Sequence, residues 1–366
     1  MRLTLVISSL EAGGAERVLS TLANDWTGRG HEVTVVTDAP RTTDHYVLDS
    51  RVRRITLDTP SNSSSLYDKF ARNFVRLKRL RSTLLHTSPD AVVAFGNTVN
   101  VRAVLAGVRL GVPTLISERT DPRLSPLPWP WRVLRRFSYP MADILVVQTR
   151  SVGEWAGRWL DGSSVRIIPN PVCVPKRTAP RPAALGVRPT LAAVGRMGPE
   201  KGFDMLLPAF AETGLASSGW QLVILGDGQE RAALEAQAEA LGLRHDVVMP
   251  GVVTDPQQWL FHADIFALSS RFEGFPNALL EAMACGLPVA AFDCPSGPGE
   301  IVRHEETGLL VPPGDTKALA AVITRLANDA DLRRRLGSAA ASDVTARYSP
   351  EHISSLWEEI LTGLKA

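Results

Sequence analysis

Two doubly wound α/β domains in tandem are the fold class this sequence predicts, and three observations predict it. Short apolar, β-rich runs alternate with helix-sized segments along the chain, as a parallel sheet with crossover helices requires. The rhythm breaks once, in a stretch with five prolines from Pro171 to Pro189, and then restarts. The length of 366 residues is about twice the ~150 residues of one domain.

In the first half, Leu3 to Ser8 reads as a buried strand, Ala15 to Trp26 as an amphipathic helix and Glu32 to Thr37 as a second strand after the Gly30 stop. That is a βαβ unit. Ala91 to Phe95, Thr114 to Ser117 and Ile144 to Val147 continue it. In the second half the strands are Leu191 to Val194, Gln221 to Leu225, Asp246 to Met249, Ile265 to Leu268 and Pro288 to Phe292. The expected domains are 1–170, joined by a returning tail 347–366 whose helix starts at Pro350, and 171–346. A crevice at the carboxyl ends of the strands is where such sheets take ligands.

Composition narrows the function. Apolar residues at 45% and charged residues at 21% describe a soluble globular protein. The 40 Lys and Arg against 38 Asp and Glu give +2, too little for a surface devoted to nucleic acid. Cys173, Cys285 and Cys294 are odd in number and lack histidines at ligand spacing, so neither disulfides nor zinc is expected. The first apolar run, Leu3 to Leu10, stops at Glu11, and none later reaches the ~18 residues of a membrane span. A cytoplasmic protein is expected.

Four segments carry candidate chemistry. Glu11-Ala12-Gly13-Gly14-Ala15-Glu16 ends the first strand, where glycines let the backbone approach an anion at a helix start; an ordinary turn is the other reading, and G-x-G-x-x-G of a nicotinamide enzyme is missing. Gly195-Arg196-Met197-Gly198-Pro199-Glu200-Lys201-Gly202 puts two cations on a glycine-rich loop, suited to clamping a diphosphate. Gly226-Asp227-Gly228 is a third glycine turn, weak alone. Ser269 to Glu281 runs from a strand through a loop into a helix starting near Pro276, with Glu273 in the loop and Glu281 in the helix. Carboxylates suit sugar hydroxyls, and the N–H groups of Gly274, Phe275, Asn277 and Ala278, around Pro276, suit phosphate or sugar oxygens.

Taken together, and in this order, these segments resemble the nucleotide-sugar-dependent, retaining GT-B glycosyltransferases of family 4, across essentially the full length. Gly13-Gly14-Ala15-Glu16-Arg17 resembles the family's N-terminal glycine loop, Arg196 and Lys201 its diphosphate pair, and Glu273 to Glu281 its E-x7-E signature. The resemblance implies that Glu273 lies by the donor sugar, that Glu281 binds the ribose, and that Gly195, Gly226 and Gly274 to Leu279 line the donor. It implies two Rossmann-like domains facing across a cleft, an acceptor on the N domain, no metal and no cofactor beyond the donor. Where many members carry a histidine after Ser-Glu, this chain reads Ser117-Glu118-Arg119. Arg119 is a candidate catalytic contact, with a salt bridge to Asp121 or Glu118 as the structural alternative.

Two basic, apolar segments of the first half suggest a membrane-facing acceptor side. Asp68 to Arg81 has Leu66, Phe70, Phe74, Leu77, Leu80 and Leu84 at helical spacing and Lys69, Arg72, Arg76 and Arg79 on another face; a core-facing helix with a solvated back is the alternative. Trp129, Trp131, Arg132, Arg135 and Arg136 combine interfacial aromatics with cations. The expectation is a UDP-sugar-dependent hexosyltransferase acting on a saccharide acceptor, of the polyprenyl-diphosphate-linked kind, at the inner face of the cell membrane. A GDP-mannose-type mannosyltransferase is the alternative, and a non-catalytic sugar-nucleotide sensor stands behind both.

Overall fold

The computed structural model describes residues 1–11, 13–57, 66–173 and 180–364, with side chains for these except 66–71. The chain divides into two compact units, Met1–Pro171 with Pro350–Ala366, and Val172–Ser349.

The first unit is built on strands β1 (Arg2–Ile7), β2 (Glu32–Thr37), β3 (Arg53–Thr56), β4 (Ala91–Phe95), β5 (Thr114–Ser117), β6 (Ile144–Val147) and β7 (Val165–Ile167). They form one parallel sheet in the order β3-β2-β1-β4-β5-β6-β7 among the described residues. β1 and β4 are neighbours, so chain order reverses between them and their carboxyl ends flank the ligand position of an open α/β sheet. The glycine loop follows β1 there, and Ser117-Glu118-Arg119 ends the adjacent strand β5. All five residues of β4 are buried, as a strand covered on both faces must be.

Helix Pro350–Gly363 completes this unit. Its Ile353, Trp357 and Leu361 are buried at helical spacing and join the core of β1, β2 and β4. Trp357 stacks on Phe95 with ring centroids 5.8 Å apart and meets Trp26 edge-on at 6.3 Å. One side chain thus ties the chain's last helix to its first helix and to a central strand.

The second unit holds β8 (Thr190–Val194), β9 (Gln221–Leu225), β10 (Val247–Gly251), β11 (Ile265–Leu268), β12 (Val289–Phe292) and β13 (Leu309–Val311), in the order β10-β9-β8-β11-β12-β13. Its reversal lies between β8 and β11 and brings the loops after those strands together. The edge strands β3, β7 and β13, of four, three and three residues, are not anticipated by the sequence. Runs that short set no period, and β7 is largely solvent-facing.

Candidate functional site

In the second unit the loops after β8 and β11 touch through their backbones, and this contact explains their glycines. Gly202 begins helix Phe203–Glu212 in the left-handed conformation (φ 62°), and a Cβ there would run into the Ser269 carbonyl. The loop after β9 meets the β8 loop in the same way: Gly226, at φ 133°, would collide with the Gly195 carbonyl. Ser269 Oγ donates to the Lys201 carbonyl at 3.0 Å. Only residues without a side chain allow so close an approach.

The approach delivers Lys201 to Glu273. Lys201 lies across Gly195, where a Cβ would meet its methylenes at 3.2 Å. Its Nζ donates to Glu273 Oε1 at 2.7 Å, and Ser270 Oγ donates to the same oxygen at 2.6 Å. Glu273 is 7% exposed, so its charge needs this cationic donor to remain in place. Arg271 braces the same corner, bonded to Asp204 at 2.7 and 2.6 Å and to the Pro199 carbonyl at 2.7 Å. Those bonds hold the Asp204 carboxyl below its usual range. Cys294 is buried nearby, and burial, with Glu273 adding, pushes its thiol up to about 12.

Arg196 behaves differently. Its side chain is 76% exposed and donates to Glu200 Oε1 at 2.7 Å. An exposed i,i+4 pair holds its partners weakly, so Arg196 is free to swing onto an arriving anion. Glu281 sits inside helix Asn277–Ala284 and is buried. The Asn277 N–H is spent on the Phe275 carbonyl at 2.9 Å, and Pro276 has none, leaving Gly274, Phe275 and Ala278 as candidate backbone donors. Phe275 and Leu279 point their side chains into the core, and the Leu279 N–H is spent on the Pro276 carbonyl at 3.0 Å, so of these two only Phe275 keeps a backbone donor for a ligand.

In the first unit, Gly13 stands at the start of helix Gly14–Gly28, and its carbonyl accepts from Tyr46 Oη at 3.0 Å and from the Arg17 N–H at 3.1 Å. A Cβ at Gly13 would strike the Glu16 carboxylate, which folds back over the loop. Ala12 lies outside the described residues. Glu118 is a buried structural acid: Tyr139 Oη donates to it at 2.7 Å, and Asn100 Nδ2 donates to Tyr139 Oη at 3.1 Å. Burial raises the Glu118 carboxyl, opposed first by the Tyr139 hydrogen bond and then by Arg135.

Arg119 takes neither alternative partner. Asp121 is bonded to Arg123 at 2.6 Å, and Arg119 itself donates to Ser117 Oγ at 3.2 Å and to Asn170 Oδ1 while stacking on Phe95 at 5.1 Å. Loss of hydration pulls the guanidinium down to about 9, opposed by Glu16 and Glu118.

Two family models match, one on each unit: "Glycosyl transferase 4-like domain" over residues 13–171 and "Glycosyl transferases group 1" over residues 179–343. The chain belongs to the GT-B glycosyltransferases of the family 4 type. Over its whole length, and 99% of the relative, this glycosyltransferase is 28% identical to the GalNAc-alpha-(1->4)-GalNAc-alpha-(1->3)-diNAcBac-PP-undecaprenol alpha-1,4-N-acetyl-D-galactosaminyltransferase of Campylobacter jejuni. It is 36% identical over 226 residues to an exopolysaccharide phosphotransferase of Streptomyces coelicolor, covering 62% of this chain but only 24% of that relative. Anabaena HepE, solved in complex with UDP, shares the fold with a TM-score of 0.83 at 20% identity, covering 99% of this chain and 100% of HepE.

In this glycosyltransferase the sequence-derived candidates fall into two groups. Gly195, Arg196, Lys201, Gly226, Glu273, Gly274 and Glu281 belong to the second unit, and Gly13, Gly14 and Arg119 to the first. Ser270 and Glu200, which partner Glu273 and Arg196, were not singled out by the sequence, because an ordinary serine and glutamate gain meaning only from the loop contact. Among the described residues no group of three or more His, Cys, Asp or Glu is placed to hold a metal ion, and no helix is long and apolar enough to cross a membrane.

The expected membrane patch needs correction at Arg135 and Trp131. Arg135 is buried, stacked over Trp155 at 5.0 Å and 4.0 Å from Glu118. Trp131 is partly buried against the core. Both lie on the inner side of helix Trp129–Ser138, whose outer side keeps Trp129 and Phe137, each 72% exposed. Arg76 turns towards Asp38 at 3.8 Å, and Arg79 donates to the Leu57 carbonyl. The side chains of Leu66, Lys69 and Phe70 lie outside the described residues.

Proposed function

We propose that this glycosyltransferase moves a sugar, with retention of configuration and without a metal ion, from a UDP-sugar of the N-acetylhexosamine or hexose type to a saccharide carried on a lipid diphosphate. The observation that carries the reading is the Lys201–Glu273–Ser270 constellation, with Arg196 beside it on the β8 loop. Breaking the bond between the sugar C1 and the diphosphate oxygen leaves charge on that oxygen, and preplaced cations stabilise it most as it develops. Lys201 is fixed in position, and Arg196 is free to close on the diphosphate. The leaving oxygen takes the proton of the acceptor hydroxyl as that hydroxyl attacks C1 from the same face, so no covalent sugar–enzyme bond is formed. Glu273 orients the sugar and Glu281 the ribose.

The UDP in the HepE structure and the undecaprenol-diphosphate acceptor in the Campylobacter relative's name support these substrate classes. Support for an acceptor at the cytoplasmic membrane face comes from helix Trp129–Ser138. Trp129, Val133 and Phe137 form an exposed row four residues apart, with Arg132 and Arg136 exposed beside it, a composition suited to an anionic interface. The test is transfer, followed by product mass, from a panel of UDP- and GDP-sugars to a polyprenyl-diphosphate saccharide in EDTA. Sugar addition from a UDP donor, lost in Glu273→Ala and reduced in Arg196→Ala, is expected. Transfer from GDP-mannose alone would replace the donor assignment, and nucleotide binding without transfer would favour a sensor.

A further inference from the structure

Arg119 is a partly buried guanidinium with no carboxylate bonded to it. Among the described residues no acidic oxygen lies within 4 Å of it; its two bonded partners, Ser117 Oγ and Asn170 Oδ1, are neutral, and its Nε is buried with no partner. Asn170 Oδ1 is already shared with Gln148 Nε2 at 2.5 Å. A partly desolvated charge with a buried, unpartnered N–H is costly unless a counter-ion completes its surroundings. Glu16 and Glu118 supply only part of that counter-charge: both act on Arg119 through space, the Glu16 carboxylate resting on Gly13 and the Glu118 carboxylate bonded to Tyr139 rather than to the guanidinium. The Glu16 carboxyl is raised by burial and by Glu11, and is lowered by its backbone hydrogen bond and by Arg119.

These groups stand at the carboxyl ends of β1, β4 and β5, through the Gly13 loop, Phe95 and Ser117. We propose that Arg119 is the seat of an oxyanion carried by the acceptor substrate, and that Glu16 is a displaceable counter-charge covering the Gly13 loop until that oxyanion arrives. Guanidinium geometry suits phosphate and carboxylate oxygens alike. The proposal deepens the function above and rests on the reading that the first unit takes the acceptor. It gives Arg119 a binding role that a neutral imidazole could not fill.

The test is calorimetric titration of the full-length protein, saturated with UDP, with inorganic pyrophosphate and separately with glucuronate. Wild type is compared with Arg119→Lys, Arg119→Met and Glu16→Gln, each checked for folding by its melting curve. Pyrophosphate affinity is expected to fall about tenfold in Arg119→Met, the loss of one charged hydrogen bond, to fall less in Arg119→Lys, and to rise in Glu16→Gln as the competing carboxylate is removed. Stronger binding of glucuronate than of pyrophosphate, with the same dependence on Arg119, would support the seat and assign it to an acidic sugar instead of a phosphate. Equal affinities in wild type and Arg119→Met, or no gain in Glu16→Gln, would overturn it. If Arg119→Met does not fold, unchanged affinities in both Arg119→Lys and Glu16→Gln do the same. Prior titration with UDP separates the readings: failure to bind UDP refutes the donor site, and the pyrophosphate series, run without UDP, still decides the seat.

Discussion

The two units share one strand logic and handle their ligand-side charges in opposite ways. In the second, Lys201 and Glu273 neutralise each other at 2.7 Å, with Ser270 filling a further bonding position. In the first, Arg119 rests on neutral oxygens, and Glu16 and Glu118 act on it only at a distance. The units also differ in closure. The second is one continuous segment, whereas the first requires a helix from the far end of the chain. A paired site is stable while empty; an unpaired cation stores a demand for an anion. Charge pairing therefore separates a part that is finished before its ligand arrives from one that is not.

The largest expected effect tests closure. Trp357 is 1% exposed between Trp26 and Phe95, and Trp357→Ala should cost about 3–5 kcal/mol, the range for aromatic truncation in a core. In denaturant unfolding followed separately for the two units, the first should lose this stability and the second should keep its midpoint. Equal loss in both would mean that the units unfold as one.

Next comes the paired site. Lys201→Ala removes the fixed cation and leaves Glu273 buried with a neutral donor, so kcat should fall about 10²–10³-fold, as for other preplaced charge stabilisers. Arg196→Ala, which removes an exposed and mobile cation, should cost less. Single-turnover rates with whichever donor the sugar-nucleotide panel selects would check the order, and the reverse order would move the charge-stabilising role to Arg196.

The smallest effect concerns the thiols. Cys173 is exposed, while Cys285 and Cys294 are pushed up to about 12, chiefly by burial. At pH 8, iodoacetamide should modify Cys173 and spare the other two, because the thiolate is the reactive form. Peptide mass mapping reads this directly. Early labelling of Cys294 would show that the Lys201–Glu273 corner opens.

The strands buried on both faces were legible because each is a continuous apolar run, as β4 (Ala91–Phe95) shows. The edge strands were not legible, since pairing with a neighbour, rather than composition, makes them strands. At the site, Lys201 and Glu273 stood out by residue type and glycine context, but nothing in spacing indicated that they bond to each other across 72 positions. The basic segment Trp129 to Arg136 was visible as composition; that Arg135 and Trp131 turn inward while Trp129 and Phe137 face out depended on how the helix rolls against Trp155 and the core.

By itself, the sequence determined the fold class, the family signature and the inventory of charges, because apolar period, glycine placement and residue chemistry are local properties of the chain. Only the tertiary structure decided which charges are neutralised. Lys201 meets its acid because two glycine-relieved loops touch, and Arg119 meets none because Asp121 is taken by Arg123 and Glu118 by Tyr139. Electrostatic energy depends on separation and burial, and both are set by packing between residues far apart in the chain.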